Sequence, residues 1–132
     1  KGNLRKAFNW SASLGYAGNI KISKKTPTGY GLYGFKTGTG DCYVMAATFY
    51  WMAKVAGYDA HYVKGYVLTK NGKGPHGWVE IDKKSNGKTI PYVYDPNFYH
   101  DYKSKGKQYT GYGFRYGAKN TYKYDNNHKR VN

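Results

Sequence analysis

Apolar and polar residues follow a helical period in two stretches of the chain. Within residues 4–17 the apolar side chains return every three or four positions, which predicts a short first helix ending near Gly15 or Gly18. From Cys42 to Gly57 the same spacing predicts a second helix, and glycine commonly ends a helix at such a position. The apolar positions of this second helix include Met45, Phe49, Met52, Ala53 and Ala56.

The pattern changes between and after these helices. Residues 18–41 are rich in glycine, threonine and lysine and predict a long irregular connection. Beyond Gly57 the period becomes that of β-strands, with three β-rich runs at residues 61–68, 76–81 and 90–95. The dipeptides Asn71-Gly72 and Asn86-Gly87 separate these runs and are typical of hairpin turns. Together they predict an antiparallel meander.

The C-terminal third is less regular. Aromatic residues alternate with glycine and arginine over residues 112–117, which predicts another strand after a lysine-rich loop at 103–107. Residues 126–132 are predicted to fray. The chain as a whole predicts one α+β domain over residues 1–132, with helices packed on one face of an antiparallel sheet.

The composition agrees with a small domain that has an aromatic core. The 132 residues contain 17 tyrosines, 5 phenylalanines and 3 tryptophans, so aromatic side chains must supply much of the buried surface. No apolar run is long enough to cross a bilayer, so no transmembrane segment is expected. The chain begins at Lys1 without a signal-peptide pattern, and we interpret it as a monomeric domain excised from a larger secreted protein.

The charge balance is strongly basic, with 22 lysines and arginines against 7 acidic residues and a net charge of +15. Such a surface attracts polyanions, among them an anionic cell-wall polymer. The basic residues are scattered and match no base-reading motif, so specific nucleic-acid binding is not predicted. The abundance of tyrosine, glycine, asparagine and lysine is typical of bacterial secreted proteins, which predicts an extracellular or cell-surface location.

Cys42, the one cysteine of the chain, stands at the start of the predicted second helix. Gly38 and Gly40 allow the backbone to turn tightly just before it. The free N–H groups and the helix dipole favour a thiolate there, although an ionised Asp41 would oppose this while also serving as an N-cap. A buried structural cysteine is the alternative.

His76 and Asp95 are expected to meet on neighbouring strands. If the turn between the second and third runs is a four-residue loop, the residue numbers of cross-strand partners add up to 171. His76 then lies directly opposite Asp95. If Asn86-Gly87 is a two-residue turn, the sum is 173 and the two residues lie diagonally on the same face, still within reach. His61 is the weaker partner because no carboxylate is similarly placed beside it.

Cysteine, histidine and aspartate are the groups that thiol acyl transfer requires. The imidazole takes the thiol proton and later returns a proton to the leaving amine, while the carboxylate orients the ring. The Cys42 backbone N–H is the natural first donor to the oxyanion. The triad alone does not decide between attack by water, which gives proteolysis or amide hydrolysis, and attack by a lysine amine, which gives cross-linking.

Three motifs in order resemble the transglutaminase-like core of bacterial proteins. They are Gly-Asp-Cys-Tyr-Val-Met-Ala-Ala from Gly40, His-Gly-Trp-Val-Glu-Ile from His76 and Tyr-Val-Tyr-Asp-Pro from Tyr92. The similarity covers about residues 4–100 and is strongest over 38–95. It implies a papain-like fold in which Cys42 is the nucleophile, His76 the general base and acid, and Asp95 the orienting carboxylate.

The resemblance also implies a second oxyanion donor upstream of the cysteine. Tyr16 and Trp10 are the candidates, and each could equally be a core aromatic residue. Trp78 lies on the same strand face as His76 and is either a wall of the substrate site or ordinary core packing. The expected substrate is a protein or peptide that presents a glutamine side chain or a backbone amide.

Two further readings remain. The four histidines and Cys42 do not form a recognisable zinc spacing, and Gly38-Thr39-Gly40 lacks the Gly-Lys-Ser/Thr of a phosphate loop, so no metal or other cofactor is expected. The alternative function is a catalytically silent, basic, tyrosine-rich module that binds an anionic cell-wall or surface polymer.

Overall fold

The computed structural model describes residues 3–132. The helices in this range are α1 (Leu4–Ala12), α2 (Pro27–Thr37), α3 (Cys42–Val55) and α4 (Pro96–Tyr102), which is followed by a 3₁₀ turn at Lys103–Lys105. The strands are β1 (Gly15–Tyr16), β2 (Thr39–Gly40), β3 (Ala60–Thr69), β4 (Gly72–Ser85), β5 (Lys88–Tyr94), β6 (Tyr112–Phe114) and β7 (Lys129–Arg130). Strands β3 to β7 form an antiparallel sheet in the order β6-β5-β4-β3-β7, and β1 pairs in parallel with β2. The predicted α+β class is confirmed.

Helix α3 lies at the centre of the fold. It contacts the other three helices as well as β3 and β4, and every residue from Val44 to Tyr50 is buried. A helix with neighbours on most sides is apolar around most of its circumference, which explains its weak amphipathic pattern. The main core that surrounds it includes Phe8 from α1, Val79 and Ile81 from β4, and Tyr94 from β5.

The opposite face of the sheet has a core of its own. Trp78 alternates with Val79 along β4 and points to this second face, where it packs with Val63 and Val93. The C-terminal segment covers these residues with Phe114, Tyr116 and Tyr124. The helices therefore cover one face, as predicted, and residues 112–128 cover the other.

The predicted irregular connection over residues 18–41 is wrong in its centre, because α2 occupies Pro27–Thr37. Thr26 caps the helix, accepting a hydrogen bond from the Gly29 N–H at 3.1 Å. Glycines inside α2 lower its intrinsic helix propensity, but they allow close packing on α3. A Cβ atom on Gly34 would lie 2.6 Å from side-chain atoms of Val44 and Thr48. Tertiary packing thus stabilises a helix that propensity disfavours.

The two hairpins set the register of the sheet. The Asn86-Gly87 turn closes β4 on β5 with Ser85 opposite Lys88, and both turn residues have positive φ, as a type I′ turn requires. Paired positions therefore sum to 173, the second of the two expected registers. The first hairpin turns at Lys70-Asn71, one residue earlier than predicted.

The predicted fraying of residues 126–132 is corrected by β7, which pairs Arg130 and Lys129 with β3. Arg130 donates to Glu80 through Nε at 2.7 Å and to Asp82 through a terminal nitrogen at 2.9 Å. These bonds tie the basic end of the chain to carboxylates of β4. Within residues 3–132 no helix is both long and apolar enough to cross a membrane.

Candidate active site

Cys42 is the first residue of α3 and is partly exposed. Asp41 is the N-cap, as the sequence allowed: its Oδ1 accepts from the N–H groups of Tyr43 at 3.0 Å and Val44 at 3.1 Å. The first N–H groups of a helix have no partner within the helix. Because the cap takes those of the next two residues, the Cys42 N–H is left for a group outside the helix.

His76 and Asp95 are in direct contact. The His76 Nε2–H donates to Asp95 Oδ2 at 2.8 Å, and both side chains are buried. Asp95 lies one residue past the end of β5 and caps α4, since its Oδ1 accepts from the Phe98 N–H at 3.1 Å. Its own N–H donates to the Gly111 carbonyl at 2.8 Å. The contact expected from the strand register is present.

The neighbours of His76 determine its charge. Burial by itself lowers the pKa of His76, but the charge and hydrogen bond of Asp95, followed by those of Cys42, together raise it to about 10. The imidazole is therefore close to both of the groups that the triad chemistry needs. Because Nε2 is engaged with Asp95, Nδ1 is the ring nitrogen available to Cys42.

Tyr124 is a fourth side chain at this site, and it was not among the predicted residues. Its hydroxyl donates to Asp95 Oδ2 at 2.6 Å. It lies in the irregular C-terminal segment, 29 positions after Asp95, and no period or motif in that segment marks it. Only the three-dimensional fold brings it to the triad.

The family model described as the transglutaminase-like superfamily matches residues 4–94. This chain belongs to the transglutaminase-like superfamily. The match includes Cys42 and His76 and ends one residue before Asp95, so both Asp95 and Tyr124 lie outside it. No curated protein matches the chain. Membership of this superfamily generally implies cysteine-based acyl transfer or proteolysis.

The three candidate oxyanion or substrate residues of this superfamily member lie in different places. Tyr16 is on β1 beside β2, pairs with Gly40 and is 63% exposed. Burial, then the charges of Cys42 and Asp41, raises the pKa of Tyr16. Trp10 instead stacks on Phe35, with ring centroids 5.5 Å apart.

Trp78 lies beneath the site. Its ring stacks on that of His76 at a centroid distance of 5.9 Å, and it is completely buried. Its Nε1–H donates to the Tyr116 hydroxyl at 2.9 Å. Trp78 therefore supports the imidazole from within the second core and has no surface that a substrate could contact.

Within residues 3–132, one cluster has ligand atoms close enough for a metal ion, and it does not include Cys42. Asp59, His61 and Asp82 each offer an atom within 4.8 Å of the others. Arg130 already donates to Asp82, so a cationic group occupies part of this cluster. His61 does have carboxylates beside it, with Nε2 2.9 Å from Asp59 and 3.6 Å from Asp82, contrary to the sequence-based expectation.

Proposed function

We propose that this protein catalyses thiol-dependent acyl transfer on amide bonds, with Cys42 as nucleophile, His76 as general base and acid, and Asp95 as orienting carboxylate. One observation carries the proposal: a buried imidazole is bonded to Asp95 through Nε2 at 2.8 Å, and Cys42 at the start of α3 contributes to the rise in its pKa. Family membership supports the chemistry class independently.

The reaction follows from the roles of these three groups. Asp95 holds one proton on His76 Nε2 and Nδ1 takes the proton of the thiol, which gives a thiolate–imidazolium pair, in keeping with the raised pKa of His76. The Cys42 thiolate attacks the amide carbonyl carbon, and the resulting oxyanion receives a hydrogen bond from the Cys42 N–H. The imidazolium then protonates the departing amine nitrogen as the C–N bond breaks, leaving an acyl group on Sγ.

A second nucleophile completes the cycle. Water or an amine loses a proton to His76 as it attacks the thioester carbonyl, and Cys42 leaves as thiolate. Water gives a carboxylic acid and makes the protein a cysteine protease or amidase. A lysine amine gives a new amide and makes it a cross-linking transglutaminase. For so short a domain we favour hydrolysis.

The charge balance of the protein favours an anionic partner. The side-chain carboxylate of each of the seven acidic residues forms a hydrogen bond within the protein. Within residues 3–132, Lys73 and Arg130 are the only lysine or arginine side chains that pair with them. The remaining basic charge is free to attract a polyanion.

A groove near the catalytic helix carries part of this charge. It has a volume of about 510 Å³, and its lining includes Tyr43 and Pro75, the neighbours of Cys42 and His76, together with Lys64 and Lys129. Because no acidic residue lines this groove, it suits an acidic segment of a protein or peptide substrate. We place such a substrate outside the bacterial cell or at its surface, where anionic cell-wall polymers could also hold the enzyme.

The test is the rate of Cys42 alkylation by iodoacetamide between pH 5 and 9. Cys42 is the one cysteine, so the reaction reports this thiol alone. An ordinary thiol, with a pKa of about 8.5, is only about 0.3% ionised at pH 6 and reacts slowly there. Wild-type protein should react at least about tenfold faster than His76→Ala at pH 6. His61→Ala, which removes a histidine outside the site, should react like wild type.

The opposite result has a clear meaning. If wild type and His76→Ala both show the profile of an ordinary thiol, His76 does not activate Cys42 and the enzyme assignment fails. The alternative then stands, a silent basic module that binds an anionic surface polymer. If activation is found, release of ammonia or of peptide fragments, with and without a lysine analogue, distinguishes hydrolysis from cross-linking.

A further inference from the structure

The Asp95 carboxylate receives three hydrogen bonds, two of them at the same oxygen. Oδ2 accepts from His76 Nε2 at 2.8 Å and from the Tyr124 hydroxyl at 2.6 Å, while Oδ1 accepts from the Phe98 N–H at 3.1 Å. We propose that Tyr124 is a positioning residue that holds Asp95 against His76. Its effect on catalysis rests on the function proposed above, but its effect on His76 does not.

Backbone bonds fix the position of Tyr124. The residue forms a bridge with Val67 of β3. On either side of it the Leu68 N–H donates to the Lys123 carbonyl at 2.9 Å, and the Asp125 N–H donates to the Tyr66 carbonyl at 2.8 Å. A side chain held at both flanks of its backbone can present its hydroxyl to one place without a large loss of conformational entropy.

Aromatic neighbours fix the direction of the ring. The Tyr124 ring lies 4.7 Å from that of Trp78, and the rings of Phe114 and Tyr116 lie 5.9 and 5.8 Å away, measured between centroids. These contacts involve the ring and would remain with phenylalanine. The packing of the ring therefore does not require the hydroxyl, whose described partner is Asp95.

The hydroxyl restrains the carboxylate. Asp95 is fully buried, so no solvent can replace a lost donor. Burial, followed by the charge and hydrogen bond of Asp95, raises the pKa of Tyr124 well above its usual value. The hydroxyl thus remains a donor throughout the range in which His76 is protonated. Without it, only His76 would hold Oδ2 and only the Phe98 N–H would hold Oδ1, so the carboxylate would lose the donor that fixes Oδ2 independently of the imidazole.

The decisive experiment is an NMR titration of His76 in ¹⁵N-histidine-labelled wild type, Tyr124→Phe and Tyr122→Phe. Tyr122 is the matched control because it lies in the same segment, its ring also contacts His76, and its hydroxyl donates to Asp101 at 3.2 Å rather than to Asp95. Tyr124→Phe should lower the His76 pKa by at least about one unit, a tenfold change in its protonation equilibrium. Tyr122→Phe should leave it within about 0.3 units.

A double-mutant cycle shows whether the effect passes through Asp95. In an Asp95→Asn background, Tyr124→Phe should not shift the His76 pKa further by more than about 0.3 units. Alkylation of Cys42 at pH 6 should be about tenfold slower in Tyr124→Phe than in wild type. Urea unfolding of each variant confirms that it is folded.

Either of two results overturns the proposal. One is an unchanged or raised His76 pKa in folded Tyr124→Phe. The other is a shift that persists undiminished in the Asp95→Asn background, because Tyr124 would then act on His76 by another route. Since the titration needs no reactive cysteine, it decides the role of Tyr124 even if alkylation shows that Cys42 is not activated.

Discussion

The His76–Asp95 bond makes the stability of this protein depend on pH in a direction that can be derived. Burial alone would lower the pKa of His76, but Asp95 and then Cys42 raise it from 6.5 to about 10 in the folded protein. A raised histidine pKa stabilises the fold fully below the unfolded value and loses that effect as the pH rises toward the folded value. The contribution of His76 should therefore decline between pH 6.5 and pH 10.

The pH dependence is best measured in Cys42→Ala. In the wild type the thiol of the unfolded chain also loses its proton, near pH 8.5, and this would mask the contribution of His76 to the free energy of unfolding. Each pH unit in this window lowers the free energy of unfolding by at most about 1.4 kcal/mol. The largest loss that His76 can cause between pH 7 and pH 9 is therefore about 2.7 kcal/mol. Cys42→Ala also removes the smaller share of the shift that Cys42 supplies. We expect its free energy of unfolding to fall by about 2 kcal/mol over this interval.

The assay is urea unfolding followed by tryptophan fluorescence at pH 7, 8 and 9. The control is Cys42→Ala/His76→Gln, which lacks the titrating group and should lose about 2 kcal/mol less over the same interval. Stopping at pH 9 keeps most tyrosines neutral. Equal pH slopes in the two variants would show that His76 has no raised pKa in the folded protein and would refute the reasoning.

Two other predictions concern the chain terminus and the oxyanion. Arg130→Gln should destabilise the fold by about 2 kcal/mol at pH 7, because it leaves the buried Glu80 without its cationic partner, while the exposed Arg115→Gln should stay within about 0.5 kcal/mol in the same urea assay. A loss no larger than that of the control would mean that the tail is not held by this bond. Tyr16→Phe should lower kcat for amide hydrolysis about a hundredfold and leave Cys42 alkylation unchanged, whereas an unchanged kcat would remove Tyr16 as the second oxyanion donor.

The sequence predicts the elements that carry strong local signals. The Cys42 helix has both an N-cap and a terminal glycine, and the Asn86-Gly87 turn restricts the register of β4 and β5 to a short list. The turn by itself is enough to predict that His76 and Asp95 lie within reach of each other. They are also the parts of the chain that resemble the family most.

The sequence does not predict the elements that depend on contacts between residues far apart in the chain. Helix α2 has a glycine-rich sequence, and its stability depends on Val44, Thr48 and Trp51 of another helix. The sequence predicts that residues 126–132 fray, but Arg130 binds Glu80 and lies on β7, whose pairing with β3 no local pattern predicts. In both cases tertiary contacts outweighed local propensity.

The dipeptide Asp95-Pro96 explains how a diagonal register can still give a direct bond. Pro96 cannot donate to a strand neighbour and suits the first turn of a helix, so β5 ends at Tyr94 and α4 begins at once. Asp95 is thereby freed from strand geometry and can divide its two oxygens, Oδ1 capping α4 through Phe98 and Oδ2 orienting His76. The position of the carboxylate is consequently set by the cap of α4 as much as by the pairing of β4 with β5.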